Sequence, residues 1–334
     1  MLRSANPASS RPLGFRYPAG VVSDQNLSAQ VPPPGAHGGD SWSLAKALKV
    51  DPAQIIDLSA SMNPFAPPVS DIVARIALDR PEVIGRYPDE REATKALVDA
   101  LDVDTDCLIL TNGGSKAISL VAAIEVTGDV VTPEFSLYER HLQHRISGAP
   151  RWRSNPSTPT GLLADISDSA HVWDEAFFPI ATGTWTRGDL ASWRLGSLTK
   201  LWSCPGLRLG FVIAPTPEQA DSVRRLQPRW SVNSLALAAL PELLELTDLP
   251  KWRESIRTLR IEFMSRLIEL GFVVHDTDSN WLLVHRAGLR EALASHLVLV
   301  RDCTSFGLDG VARVALPKPE QMEEVLRAFE IIGP

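Results

Sequence analysis

The stretch GSLTKLWSCPGLRLGF (196–211) is the most informative in the chain. It sets Lys200 beside two hydroxyl side chains, Ser197 and Thr199, and follows it with Pro205-Gly206 and Arg208. A lysine amine condenses with an aldehyde, and hydroxyls with a guanidinium can hold a dianionic phosphate beside it. That is the chemistry of a phosphorylated aldehyde cofactor carried on Lys200. A lone Ser-x-Thr-Lys says little, because most lysines are solvated surface groups; the string as a whole is far more specific.

Outward from this stretch, short apolar runs alternate with amphipathic ones, the pattern of an α/β domain. CLILTNGG (107–114) reads as a buried strand ending in a glycine pair, with a helix, SKAISLVAAIE (115–125), directly after it. DVVTP (129–133), HVWDEAF (171–177) and RLGFVIA (208–214) read as further strands, the second ending on the carboxylates Asp174 and Glu175. Elements in this order place functional groups at the carboxyl edge of a mainly parallel sheet. Further on, Trp252, Ile256, Leu259, Phe263, Leu267 and Leu270 recur at three- and four-residue steps, one apolar stripe on a long helix stopped by Gly271. WLLVH (281–285) then reads as a strand and EQMEEVLRAFEII (320–332) as a final helix. The expected organisation is an extended, Pro- and Ser-rich arm over 1–36, a large domain over 37–235 whose first part packs on the small domain, and a smaller α+β domain over 236–334.

The 334 residues, 44% hydrophobic and 22% charged, suffice for a large core without disulfides. Cys107, Cys204 and Cys303 are widely spaced, with no Cys/His cluster, so reduced thiols in a cytoplasmic protein are expected and a metal site is not. The net charge of −7 disfavours a nucleic-acid partner. No apolar run approaches the ~20 residues of a membrane span. The N-terminus carries Arg3, Arg11 and Arg16, but Pro7, Pro12 and Pro18 break it, so it reads as an arm rather than a targeting signal.

The lysine segment resembles that of the fold-type I pyridoxal 5′-phosphate (PLP) enzymes, the aspartate aminotransferase superfamily. Other motifs follow in the expected order from about residue 37 to the C-terminus, and together they resemble the branch of histidinol-phosphate aminotransferase and the cobalamin-pathway threonine-phosphate decarboxylase. The resemblance implies an α/β large domain with a mainly parallel mixed sheet between helices, and a smaller α+β domain. TNGGSKAI (111–118) resembles the phosphate loop, in which Gly114, Ser115 and Lys116 would cradle the PLP phosphate at a helix N-terminus. VTPEFSLY (131–138) resembles the segment whose aromatic ring, here Phe135, stacks on the pyridine, worth ~1 kcal/mol. Asp174 of DEAF (174–177) would pair with the pyridine nitrogen and keep it protonated, which makes the ring a better electron sink. Tyr87 of RYPD (86–89) would cross a homodimer interface to the PLP phosphate.

Two positions depart from the family. SNPSTPTG (154–161) resembles its Asn-Pro-x-Asn-Pro-Thr-Gly loop, which would give Asn155 a place near the substrate, but Thr158 stands where an asparagine normally bonds the cofactor's phenolic oxygen. Phe177 stands where many aminotransferases place a tyrosine aimed at the same oxygen. Phenylalanine cannot donate and threonine reaches less far, so the proton on the Lys200–cofactor Schiff base should be held more tightly, as a titration of the visible absorbance would report. The intervals 139–154 and 162–173 are also short for the family, as if a strand–helix unit had been trimmed.

Three segments resemble the substrate-facing motifs of the threonine-phosphate decarboxylases. HGGD (37–40) brings His37, Gly38 and Gly39, the glycines allowing backbone to approach a phosphate; DLSASMNPFAPP (57–68) brings Asn63; VRDCTSFGLDGVARVAL (300–316) brings Arg301 for a substrate phosphate and Arg313 for the α-carboxylate. The implied reaction is decarboxylation of O-phospho-L-threonine to 1-amino-2-propanol phosphate. The alternatives are an aminotransferase of the histidinol-phosphate type and a degenerate PLP-binding protein without turnover.

Overall fold

The structure, a computed structural model, describes residues 31–33, 35 and 37–334; the rest of the expected arm lies outside the described residues. A central five-stranded sheet runs in the order Leu108–Asn112, Leu209–Ile213, Trp193–Gly196, Val172–Asp174, Trp152–Ser154. Only the Leu209–Ile213 strand is reversed: it pairs antiparallel with both neighbours, while the other pairings are parallel. Buried on both faces, these strands are nearly continuous apolar runs, as a sheet covered by helices requires.

This topology positions the site. The register sets Asn112 opposite Leu209, Asp174 opposite Leu195 and Ser154 opposite Asp174. The carboxyl ends of four strands therefore share one edge with the amino end of the reversed strand. Everything the chain places just after Asn112, Ser154, Asp174 and Gly196, or just before Leu209, converges there. Packing at this edge is tight: a Cβ on Gly210 would lie 2.6 Å from both the Gly113 carbonyl carbon and the Gly114 nitrogen.

A second sheet, ordered Arg301–Asp302, Val311–Ala315, Trp281–His285, Val273–His275, is antiparallel throughout. The Leu249–Glu269 helix lies beside it and buries Trp252, Ile256, Leu259, Phe263 and Leu267, the stripe expected from sequence. The helix Ser234–Glu245, which straddles residue 235, packs on the helices Arg91–Leu101 and Val69–Asp79. A parallel pair joins Ile56–Asp57 to Val298–Leu299, so the segment after the arm is tied to the C-terminal part of the chain.

The strand expected over 129–133 does not form. The strand is Thr127–Gly128, paired with His144–Arg145, and Asp129 adds only a single bridge to Arg151. Val131 is exposed and Pro133 has no N–H to offer a ladder. Between Ser154 and Val172 the chain forms neither helix nor strand. Cys107, Cys204 and Cys303 are free and buried. Among the described residues no helix is long and apolar enough to cross a membrane.

Candidate active site

A cleft of about 1120 Å³ opens at the convergent edge, between the two sheets. The short helix Leu198–Leu201 puts Lys200 into it, and Lys200 Nζ donates to the Ala60 carbonyl at 2.8 Å. Burial, then the nearby Arg313 guanidinium, pushes the Lys200 pKa down to about 8. A lysine so placed gives up its proton more readily than a solvated one, as a nucleophilic amine must.

Asp174, at the end of its strand, is buried but faces the cleft. Its Oδ2 accepts from the Tyr138 hydroxyl at 2.8 Å and its Oδ1 from the Ala176 N–H at 3.1 Å. Burial raises its pKa, and these two donors oppose the rise. The neighbouring Glu175 turns the other way: it is 1% exposed, accepts from the Arg187 N–H at 2.8 Å, and burial pushes its pKa up to about 7.

Gly114 and Ser115 line the cleft at the start of the Gly114–Ile124 helix, whose first N–H groups have no intrahelical acceptor. Lys116 does not join them. Its N–H already donates to the Gly113 carbonyl at 3.1 Å, and its side chain lines a separate, shallower depression with Asn112 and Ser119. Ser197 and Arg208 line the main cleft, and Arg208 NH2 lies close above Gly113, 2.5 Å from where a Cβ would stand. Thr199 lines it too, but its hydroxyl proton is committed to the Leu209 carbonyl at 3.2 Å, which ties the lysine helix to the reversed strand. Phe135 stands on the other side, its ring 5.8 Å from Tyr138 and 5.7 Å from His37. Phe177 reaches the cleft with its ring 5.9 Å from Lys200 Nζ, and Thr158 lines it as well.

The second sheet contributes the arginines. Arg301 and Arg313 are directly paired across adjacent strands and both are buried. Arg313 packs its guanidinium over Trp281 at 5.0 Å, gives one hydrogen bond to the Ser59 carbonyl at 3.3 Å, and leaves its buried Nε without a partner in the protein. Burial brings its pKa down to about 10. Arg301 bonds the Gly35 carbonyl at 2.5 Å and the Ser305 hydroxyl at 2.8 Å. His37 lies close by, its pKa lowered by burial and by Arg301 and Arg140.

Other expected residues also make structural contacts; of these Gly38 and Gly39 line the cleft. Gly38 meets the Ser59 carbonyl, 2.2 Å from a notional Cβ, and Gly39 N–H donates to Ser59 Oγ at 2.8 Å. Asn63 lines the cleft, yet its amide donates to the Leu201 carbonyl and accepts from Phe65 N–H, bracing the lysine helix. Asn155 is buried behind the lining: it accepts from Ala164 N–H at 2.9 Å and its Nδ2 has no protein partner. Tyr87 stands apart, 77% exposed and stacked on Trp230 at 4.3 Å. Sequence reasoning missed Tyr138, which bonds Asp174, and Ser154 and Arg140, which line the cleft. The one available signal was that Tyr138 follows Phe135 by one helical turn.

Comparison with known proteins decides the family. The sequence model for aminotransferase class I and II matches residues 155–329. The chain belongs to that family. It is 30% identical to the threonine-phosphate decarboxylase of Salmonella typhimurium, over 88% of this chain and 95% of that protein. It is 25% identical to the histidinol-phosphate aminotransferase of Citrifermentans bemidjiense, over 85% and 94% respectively. In three dimensions it is similar to the histidinol-phosphate aminotransferase of Clostridium acetobutylicum, with a TM-score of 0.73 and 22% identity over 82% of this chain and 98% of that one. The fold is thus fold-type I, and the family's cofactor is PLP. The residues present fit it: an amine with a depressed pKa, a helix N-terminus with unspent N–H groups, an arginine beside that terminus and a buried acid facing the same cleft.

Proposed function

We propose that this family member removes carbon dioxide from O-phospho-L-threonine, giving 1-amino-2-propanol phosphate. The observation that carries the reading is the pair of buried arginines across from Lys200. Two neighbouring buried guanidinium groups lining one cleft suit a substrate with two anionic ends, and Arg is the side chain that binds carboxylate and phosphate bidentately. The relationship to the Salmonella decarboxylase supports it.

In this reading Lys200 would carry PLP, Gly114, Ser115, Ser197 and Arg208 would hold its phosphate, and Phe135 and Asp174 would serve its ring. Bound PLP supplies a sink for the electron pair released when a bond at the substrate's Cα breaks. Arg313, with a buried Nε that has no partner in the protein, would take the α-carboxylate and hold it in one orientation. Arg301 and His37 take the distal phosphate. The apolar walls given by Phe135 and Phe177 keep water from the reacting atoms. Once the substrate's amine has replaced it on the cofactor, the freed Lys200 Nζ would return a proton to Cα after carbon dioxide has left. A second copy of the chain would bring Tyr87 toward the phosphate.

The second reading, transamination of the histidinol-phosphate type, is supported by the relatives of that name and uses the same groups, with Lys200 taking the Cα proton instead. Incubation with PLP and O-phosphothreonine, without a keto acid, separates the two. Release of carbon dioxide that disappears in Lys200→Ala is expected. Turnover that begins only when 2-oxoglutarate and an amino donor are supplied would favour transamination.

A further inference from the structure

Lys200 and Arg313 come from different parts of the fold, yet one short segment holds both. Arg313 Nη2 donates to the Ser59 carbonyl at 3.3 Å, and Lys200 Nζ donates to the next carbonyl, that of Ala60, at 2.8 Å. Carbonyls on either side are engaged in the same way. That of Leu58 accepts from the Ala315 N–H at 3.0 Å, and that of Asn63 from the Ser203 hydroxyl at 2.6 Å. Asn63 also grips the lysine helix, its N–H donating to the Lys200 carbonyl at 3.1 Å and its side-chain amide to the Leu201 carbonyl at 2.9 Å. Residues 58–63 are thus laced to the arginine sheet at one end and to the lysine helix at the other.

Between the two ends lies a turn that needs outside support. Ser61 is fully buried with φ of 52°, in the left-handed region that a side chain disfavours. Asn280, in the bend just before the strand Trp281–His285, is fully buried too. Its amide nitrogen donates to both carbonyls of the turn, Ser61 at 3.0 Å and Met62 at 2.9 Å. A primary amide has two hydrogens, one for each. Its oxygen accepts from the Ser279 hydroxyl at 3.3 Å, and its backbone carbonyl from the Leu316 N–H at 3.0 Å, so the residue is itself anchored. Alanine there would leave both turn carbonyls short of a donor.

We propose that Asn280 is a positioning residue: by holding the Ser61 turn it sets the Ser59 and Ala60 carbonyls, and through them the spacing between the guanidinium of Arg313 and the amine of Lys200. This rests on the reading of Arg313 as the carboxylate site and of Lys200 as the cofactor's amine. The two groups then behave as one unit, governed by a buried amide that hydrogen-bonds to neither. The substrate's carboxylate is presented at a fixed place relative to the cofactor's attachment point, whichever bond at Cα is cut.

Two measurements on Asn280→Ala test this. In the cofactor-free protein the Ala60 carbonyl favours the protonated amine, so displacing that carbonyl makes the proton easier to lose. The pH midpoint of PLP uptake should fall by about one pH unit, one charge-assisted hydrogen bond. The charged groups that act on Lys200, namely Arg313, Asp57 and Arg208, are all retained in the variant. A merely structural loosening would admit water and move the midpoint upward; that result, or no movement, overturns the proposal. In holoprotein reduced with borohydride, which cannot turn over, the dissociation constant of O-phospho-L-threonine should rise about tenfold in the variant. An unchanged constant overturns the proposal as well. A wild type that does not bind O-phospho-L-threonine would defeat the reading of the substrate, while the midpoint still decides the role of Asn280. Glycine adopts the left-handed region without strain. Adding Ser61→Gly should therefore bring midpoint and affinity back toward wild type, and a double variant no nearer wild type than Asn280→Ala contradicts the proposal. Should Asn280→Ala alone fail to fold, a double variant that folds and titrates like wild type supports the proposal, and one that does not contradicts it.

Discussion

Lys200 is useful because its surroundings make its charge costly. Its amine sits among Arg313, Arg208 and apolar walls, and the pKa falls from 10.5 to about 8. The sign follows directly: the neutral amine is the nucleophile, and it predominates above that value. The rate at which the cofactor-free protein takes up PLP should rise with pH and level off past a midpoint near 8, as stopped-flow absorbance would record. A rise that continues toward 10.5 would mean a solvated, ordinary lysine. This residue was legible from sequence because its neighbours spell the chemistry. Tyr138 was not, because its bond to Asp174 exists only once a helix and a strand meet, and a tyrosine in isolation has no signature.

At the scale of elements, the site exists because one reversed strand brings Arg208 to the edge where four parallel strands end. Periodicity found Leu108–Asn112 and Leu209–Ile213 but gives no direction, so the reversal was invisible. The strands Trp152–Ser154 and Trp193–Gly196 were not read from the sequence because Arg153 and Arg194 interrupt their short apolar runs. The strand misread at 129–133 had the apolar composition but ran out into exposed valine and proline. Gly210 reports on the convergence itself. A methyl there meets backbone at 2.6 Å on two atoms, and backbone cannot swing aside as a side chain can. Gly210→Ala should lose roughly 1–3 kcal/mol of stability and displace the Gly113–Gly114 turn. Thermal unfolding and PLP retention should fall together; a variant as stable as wild type would mean that the edge is looser than described.

For the whole molecule, the sequence pattern led to an α/β chain with its cofactor site at a sheet edge, and the two sheets meet at the cleft so that one brings the lysine and acid and the other the arginines. Tyr87 and Trp230 stack on each other with 77% and 54% of their surface exposed, near Ile84 at 63%. Aromatic groups so exposed suit burial in an interface. We propose that a second copy covers them. Sedimentation should find a dimer, and Tyr87→Ala should weaken both association and cofactor retention; a monomer with full retention would remove Tyr87 from the site.

The most direct measurement is covalent mapping of the holoprotein. Reduction with borohydride after loading with PLP should fix the cofactor to the peptide containing Lys200 and leave the other lysines unmodified. A label on another lysine, or none after full loading, would contradict the account at its centre.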